Sequence, residues 1–270
     1  MPIETDKPAN APRILAEIDG AVGRLIVDNP ARLNAVTLAM WRAIPAAVAR
    51  LEADPHVRLI IVTGGGAKAF VSGADISEFA AVRRDADSAR SYEAANASAF
   101  RALRQAKKPT LAAIRGVCLG GGLGLAVACD LRLAAEGSTF GIPAARLGIG
   151  YPPECVGDVV AAVGPSRAKE MFFTARRIEA SEAARIGLIN SVVPAERFDA
   201  EIASLAATIA GNAPLTLQAA KSAIDRPLHD PDGSGLAQAV RLADACFESA
   251  DFAEGRTAFL EKRQPVFRGE

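Results

Sequence analysis

An α/β core with parallel strands, followed by a mainly helical final third, is what this sequence predicts. Three observations carry it. Continuous apolar runs at 57–62, 110–117 and 131–135 read as strands covered on both faces. Two of them end in glycine clusters, Gly64-Gly65-Gly66 and Gly120-Gly121-Gly122, within the order strand, glycine-rich turn, helix, strand. After Gly164-Pro165 the patterns turn helical, from Ser166, Ser181, Phe198, Pro214 and Ser234, and 188–193 is the one further convincing strand.

The elements follow in order. Ile14, Ala16 and Ile18, then Leu25 and Val27, alternate around Asp19-Gly20 as in a two-stranded hairpin. Asn29-Pro30 breaks the second strand, and Thr37 is placed to cap a helix to about Ala53 whose stripe is Met40, Trp41, Ile44, Val48 and Leu51. Pro45 is expected to kink or interrupt it. Residues 78–107 have helical spacing with a polar middle, 83–90, expected to be its flexible stretch, and Pro109 ends the segment. The strand at 110–117 runs into the glycine triplet, and a short apolar helix continues to about Ala128. The Ala-rich helices 200–210 and 236–246 lack a wide charged face, which predicts packing against another subunit.

Composition narrows the function classes. Lys plus Arg and Asp plus Glu are 31 each, so no field of one sign favours nucleic acid or an anionic membrane as partner. The longest uncharged apolar run, Gly116 to Cys129, is shorter than the roughly 20 residues of a bilayer span. No signal or transit pattern is visible at the N-terminus, and four cysteines without C-x-x-C spacing are expected to be reduced thiols of a cytoplasmic protein. Two histidines, His56 and His229, exclude a His-rich metal centre, and no metal is expected.

Chemistry is expected at the glycines. The triplet sits where a buried strand meets a helix start, so unpaired N–H groups and the helix dipole point outward, a place for a developing oxyanion. Ser72-Gly73-Ala74-Asp75, at another strand end, can supply a second donor. The same glycines read equally as a device for close helix-to-sheet packing. Gly64 to Ala69 fits the G-x-G-x-x-A dinucleotide fingerprint, but Phe70-Val71-Ser72-Gly73 interrupts the helix which that site needs.

The chain resembles the enoyl-CoA hydratase/isomerase, or crotonase, superfamily from about Arg13 to Phe267. The motifs are Asn29-Pro30-Ala31-Arg32-Leu33-Asn34-Ala35, Asp54-Pro55-His56-Val57-Arg58-Leu59-Ile60-Ile61-Val62-Thr63-Gly64, Lys68-Ala69-Phe70-Val71-Ser72-Gly73-Ala74-Asp75-Ile76, Lys108-Pro109-Thr110-Leu111-Ala112-Ala113-Ile114-Arg115-Gly116 with Leu119-Gly120-Gly121-Gly122, and Ala128-Cys129-Asp130-Leu131-Arg132. The resemblance implies a spiral of ββα units over 13–195 after a tail at 1–12, and a helical trimerisation region at 196–270, often in a dimer of trimers. It implies a coenzyme A thioester as substrate, with no tightly bound cofactor. The oxyanion hole would be the N–H groups of Ala74 and Gly121. Backbone around Phe70, Ser72, Ala74 and Ile76 would meet adenine and pantetheine, with Phe259 and Lys262 near the nucleotide.

A hydratase of this family carries two glutamates, one just after the glycine triplet and one after the Phe-x-x-Pro segment. Here those positions are Gly124 and Ala144. Losing one positioned acid or base forfeits about 10²- to 10⁴-fold, so the usual hydration chemistry is not expected. Downstream, Tyr151, Glu154 and Cys155 enter where small residues are usual. Glu154 is the candidate acid or base, although it also reads as a first-turn glutamate satisfying the helix dipole. Tyr151 donates to substrate or closes the pocket, and Asp75 and Asp130 read as residues that orient turns. Isomerase, hydrolase and acyl-CoA binding with little turnover stand as alternatives.

Overall fold

The computed structural model describes residues 11–151, 153–229 and 235–270, with the side chains of residue 154 and of residues 227–229 outside that description. The expected hairpin forms from β1 (Arg13–Asp19) and β2 (Val22–Asp28). α1 (Leu38–Ala53) is capped by the Thr37 hydroxyl, which accepts from the Met40 N–H, and it buries the predicted stripe. The helix runs on through Pro45. Loss of one ladder hydrogen bond does not interrupt it because the fully buried Trp41 and Ile44 anchor the preceding turn.

Each successive turn of chain then lays one strand in each of two sheets. β3 (Leu59–Gly64) is followed by β4 (Ala69–Val71), so the glycines at 64–66 lead into a strand and not into a helix, which removes the dinucleotide reading. α2 (Phe79–Val82) and α3 (Ala86–Arg104) come next. Between them Arg83 is packed away, its side chain 12% exposed, and Asp85 and Ser88 form a reciprocal cap on α3. The apolar run at 110–117 is two strands, β5 (Thr110–Ile114) and β6 (Val117–Leu119). Gly116 turns the corner at φ +63°, where a β-carbon would stand 2.1 Å from the Lys68 carbonyl oxygen. After α4 (Gly121–Val127) the pattern repeats with β7 (Leu131–Ala135) and β8 (Thr139–Gly141). α5 (Ala144–Leu147) and α6 (Pro153–Thr174) follow, the latter broken at Gly164. β9 (Ile178–Glu179), α7 (Ala180–Arg185) and β10 (Ser191–Val193) complete this part.

The larger sheet has the order β1-β2-β3-β5-β7-β10, and the smaller β4-β6-β8-β9. Apart from the β1–β2 and β8–β9 pairs, the strands are parallel. Alternation along β3 sends Ile60 and Val62 into the main core with α1 and α4, and Leu59 and Ile61 to a second core. That second core is closed by Phe198, Ile202 and Ala206 of α8 (Phe198–Ala210). The Phe198, Ile202 and Ala206 side of α8 is thus buried within the chain.

The chain ends in α9 (Pro214–His229), α10 (Leu236–Phe247) and α11 (Ala250–Glu261). The predicted helix start at Ser234 lies outside the described residues. Lys221 on α9 reaches the core through a 2.9 Å ion pair with Asp130. Leu236, Val240, Phe247, Phe252, Phe259 and Leu260 are exposed on the last two helices. Among the described residues no helix is long and apolar enough to cross a membrane.

Candidate active site

Two backbone segments meet beside one cavity. In the first, the Val36 N–H donates to the Gly73 carbonyl and the Asp75 N–H to the Val36 carbonyl, at 2.8 and 2.9 Å. This parallel bridge directs the peptide N–H of Ala74 to the opposite side, where it has no acceptor among the described residues. The second segment is the start of α4. Gly120 precedes it at φ +53°, and Gly121, as its first residue, keeps an N–H with no partner inside the helix. The segments are close: a β-carbon on Gly73 would be 3.8 Å from the Gly121 nitrogen.

Their spacing is fixed by contacts on both sides. A β-carbon on Gly122 would fall 2.1 Å from the Val71 carbonyl oxygen, so helix and strand approach to a distance only glycine permits. Asp75 holds the first segment by accepting from the Ser77 N–H and hydroxyl and by pairing with Arg32 at 2.8 Å. Burial pushes the Asp75 carboxyl up, but the bonds from Ser77 and the Arg32 cation together leave it below the ordinary value. Both aspartates singled out in the sequence orient structure. Asp130 accepts from the Thr110 N–H and hydroxyl besides pairing with Lys221.

The cavity, about 80 Å³, has Ser72, Ala74, Gly120 and Gly121 along one wall and Phe79, Phe100, Leu147 and Ile149 around the rest. Tyr151 and Cys155 also line it. Tyr151 packs edge-on against Phe172, and burial pushes its phenol up, so it stays a protonated donor. Of the expected thioester-binding segment, Ser72, Ala74 and Ile76 face the cavity, while the Phe70 side chain is fully buried in the core. Ala144 is on the wall. Gly124 is covered by Phe100, whose ring would lie 2.5 Å from a β-carbon there. Glu154 belongs to the first turn of α6 between Pro153 and Cys155, and its side chain lies outside the described residues. Phe259 and Lys262 stand at the end of α11, away from the cavity wall, with Phe259 84% exposed.

Phe100 walls the cavity, whereas Tyr92 is buried in the core, where its hydroxyl accepts from the Trp41 indole N–H at 2.9 Å and burial pushes its pKa up to about 12. Sequence reasoning missed three polar residues on the wall, Arg83, Glu93 and Asn96. Arg83 pairs with Glu93 and lies over the rings of Phe79 and Tyr92, its guanidinium carbon 4.4 and 4.2 Å from their centroids. Asn96 Nδ2 donates to the other Glu93 oxygen at 3.3 Å. Burial pushes the Glu93 carboxyl up despite the Arg83 cation. A signal was present: Glu93, Asn96 and Phe100 are spaced i, i+3, i+7 and so share one face of α3. No group of His, Cys, Asp or Glu among the described residues is arranged to hold a metal ion.

The enoyl-CoA hydratase/isomerase family model matches residues 17–270. The chain belongs to that family. It is thus an acyl-CoA-processing enzyme of the hydratase/isomerase kind, with the mixed α/β crotonase fold and a helical C-terminal region. Crotonyl-CoA hydratase of Syntrophomonas wolfei is 36% identical over 94% of this chain and 97% of its own. Short-chain-enoyl-CoA hydratase of Clostridium acetobutylicum is 34% identical over 93% and 95%. Among solved structures, an enoyl-CoA hydratase/carnithine racemase from Magnetospirillum magneticum superposes with a TM-score of 0.89 at 37% identity, covering 95% of this chain and 96% of that one.

Proposed function

We propose that this enzyme binds an acyl-CoA thioester with its carbonyl oxygen on the Ala74 and Gly121 N–H groups and moves a proton at the carbon next to that carbonyl. Double-bond isomerisation is the simplest outcome. The observation that carries the reading is the pair of acceptor-free backbone donors on one cavity wall. Two fixed N–H groups stabilise the negative charge that develops on an enolate oxygen more than they stabilise the neutral thioester, which is the condition for lowering a barrier. Hydration by the usual route is set aside because neither residue 124 nor residue 144 carries a carboxylate to hold water. Glu154 is the proposed acid or base, since its chain neighbour Cys155 and nearby Tyr151 both line the cavity. The C-terminal helices, with their exposed Phe and Leu side chains, are proposed to join copies of the chain into a trimer or a dimer of trimers. A cytoplasmic setting is part of the same proposal, supported by cysteines of which none is disulfide-bonded.

One observation favours a second reading, an acyl-CoA-binding protein with little turnover. Glu93, the carboxylate that lines the cavity among the described residues, has both oxygens engaged by Arg83 and Asn96. Incubation in D₂O with crotonyl-, 3-enoyl- and saturated acyl-CoA, followed by mass spectrometry, separates the readings. Deuterium in the acyl chain or a moved double bond supports the proposal. Gain of water would restore hydratase activity to the assignment, free CoA would make the enzyme a hydrolase, and binding without any product would leave the second reading.

A further inference from the structure

The Tyr151 hydroxyl stands beside the two peptide donors. A β-carbon on Gly120 would lie 3.5 Å from the Tyr151 oxygen and 3.9 Å from the Gly73 α-carbon, which is two bonds from the Ala74 nitrogen. Gly120 has ψ −121°, a value that eclipses its β-carbon direction with the Gly121 nitrogen, so the same point adjoins the Gly121 N–H. The Gly73 side closes in as well, since a β-carbon there would be 3.8 Å from the Gly121 nitrogen. The phenol oxygen and the peptide nitrogens of Ala74 and Gly121 thus border one small volume, and all three residues line the cavity.

Among the described residues the hydroxyl has no hydrogen-bond partner, and it keeps accessible surface although its ring is packed edge-on against Phe172. The hydroxyl of Tyr92 differs on both counts, being engaged by the Trp41 indole and absent from the cavity wall. Phe79, Phe100, Leu147 and Ile149, which make up the apolar wall, offer Tyr151 no acceptor. A polar group held in such a wall costs more than a phenylalanine in its place unless something entering the cavity pairs with it. Burial pushes the phenol up and keeps it protonated, so it donates. Resting on the acyl-CoA reading above, we infer that Tyr151 is a further catalytic residue, whose hydroxyl donates a third hydrogen bond to the thioester oxygen held by Ala74 and Gly121. That bond strengthens as charge builds on the oxygen, so it stabilises the enolate more than the bound ester. A ring that only closed the pocket would do so equally well without its oxygen.

The test compares wild type with Tyr151→Phe, each as the full chain, with melting curves establishing that the variant folds. Deuterium exchange into acetyl- and butyryl-CoA gives the rate, calorimetry gives the affinity, and difference infrared spectroscopy of the same esters labelled with ¹³C at the thioester carbonyl gives the stretching band of the bound carbonyl. Loss of the hydroxyl is expected to lower kcat about 10²-fold with affinity nearly unchanged, as removal of one oxyanion donor does. It should also move the carbonyl band toward that of the free thioester. Should the variant not fold, 3-fluorotyrosine incorporated into wild type takes its place: of the two tyrosines only Tyr151 lines the cavity, so its more acidic phenol should move the band further from the free value. An unmoved band in either experiment overturns the inference, as does an unchanged rate in Tyr151→Phe or a loss confined to affinity. If wild type binds both esters without exchanging either, the band alone decides. Failure of both esters to bind wild type would overturn the acyl-CoA reading itself and this inference with it.

Discussion

The ring of Phe100 fills the volume that a side chain at residue 124 would occupy, with Cζ 2.5 Å from the position of a β-carbon there. Gly124 is one turn into α4, buried, and Phe100 is 3% exposed on α3. The absence of a carboxylate at 124 is thus built into the packing of two helices. Placing one there requires moving an aromatic ring out of the core.

Gly124→Glu alone is expected to destabilise the protein by about 1–3 kcal/mol through overpacking, with more from the buried carboxylate. Phe100→Ala in the same chain should return part of that loss, a coupling read from urea unfolding in a double-mutant cycle. The single variant should not hydrate crotonyl-CoA. Hydration by Gly124→Glu with Phe100 intact would show that the ring yields.

Removing one donor of the proposed oxyanion hole should slow the reaction at constant fold. Ala74→Pro deletes an N–H that has no acceptor among the described residues, so the bridge between Val36 and the 73–75 segment keeps its hydrogen bonds. The expected loss is about 10²- to 10³-fold in kcat. Deuterium exchange into a saturated acyl-CoA measures it, with a melting curve to establish folding.

Glu93 makes stability depend on pH in a stated direction. Its carboxyl is raised above the ordinary 4.5 by burial. The folded state therefore holds the proton more tightly than the unfolded one, so this group's contribution is fully present below the unfolded pKa and is lost as pH rises through the folded value. The unfolding free energy of wild type, measured relative to Glu93→Gln, should fall across that window from acid toward neutrality. A difference that rises with pH would contradict the assigned shift.

Asp130 ties three elements at once, β5 through Thr110, α9 through Lys221 and the start of β7 through its own N–H to the Thr110 hydroxyl. Asp130→Ala should cost about 2 kcal/mol or more, because it strands a Lys221 side chain that is 10% exposed. Chemical denaturation gives the figure. Lys221→Met in the same background should recover part of it.

Thiol reagents should distinguish the cysteines. Burial pushes the thiols of Cys118 and Cys129 up, the latter to about 12, so both stay protonated and sheltered. Both should resist modification until the protein unfolds, whereas half-buried Cys246 on α10 should react in the native state. Rapid native modification of Cys118 or Cys129, located by peptide mass spectrometry, would contradict this.

The parts of the fold that were legible in the sequence are those whose signal is local. Period-two alternation around Asp19-Gly20, the Thr37 cap and the stripe on α1 each need only their own segment. The corner at Gly116 was not legible, since an apolar run looks the same whether it continues one strand or crosses into a second sheet. Pro45 does not interrupt α1, because burial of its neighbours outweighs a single missing bond. At the site, the glycine triplet and the 72–75 segment announced themselves through composition. The Arg83, Glu93 and Asn96 cluster did not, because in sequence a charged stretch of an Ala-rich helix reads as a solvated face. Only the packing of α2 against α3 turns it inward.

The close approach at Gly122 divides this molecule into what can be re-engineered and what cannot. Any residue other than glycine there drives a β-carbon to within 2.1 Å of the Val71 carbonyl oxygen, separating the strand that leads to Ala74 from the helix that begins at Gly121. The two donors are peptide groups and cannot be swapped for better ones, so their aim is a property of the backbone alone. Around them the reagents are side chains, replaceable one at a time with the aim unchanged. A mutational library confined to the cavity's side chains should therefore yield new substrate preferences at a useful rate, while one that includes residue 122 should return mainly proteins that no longer fold.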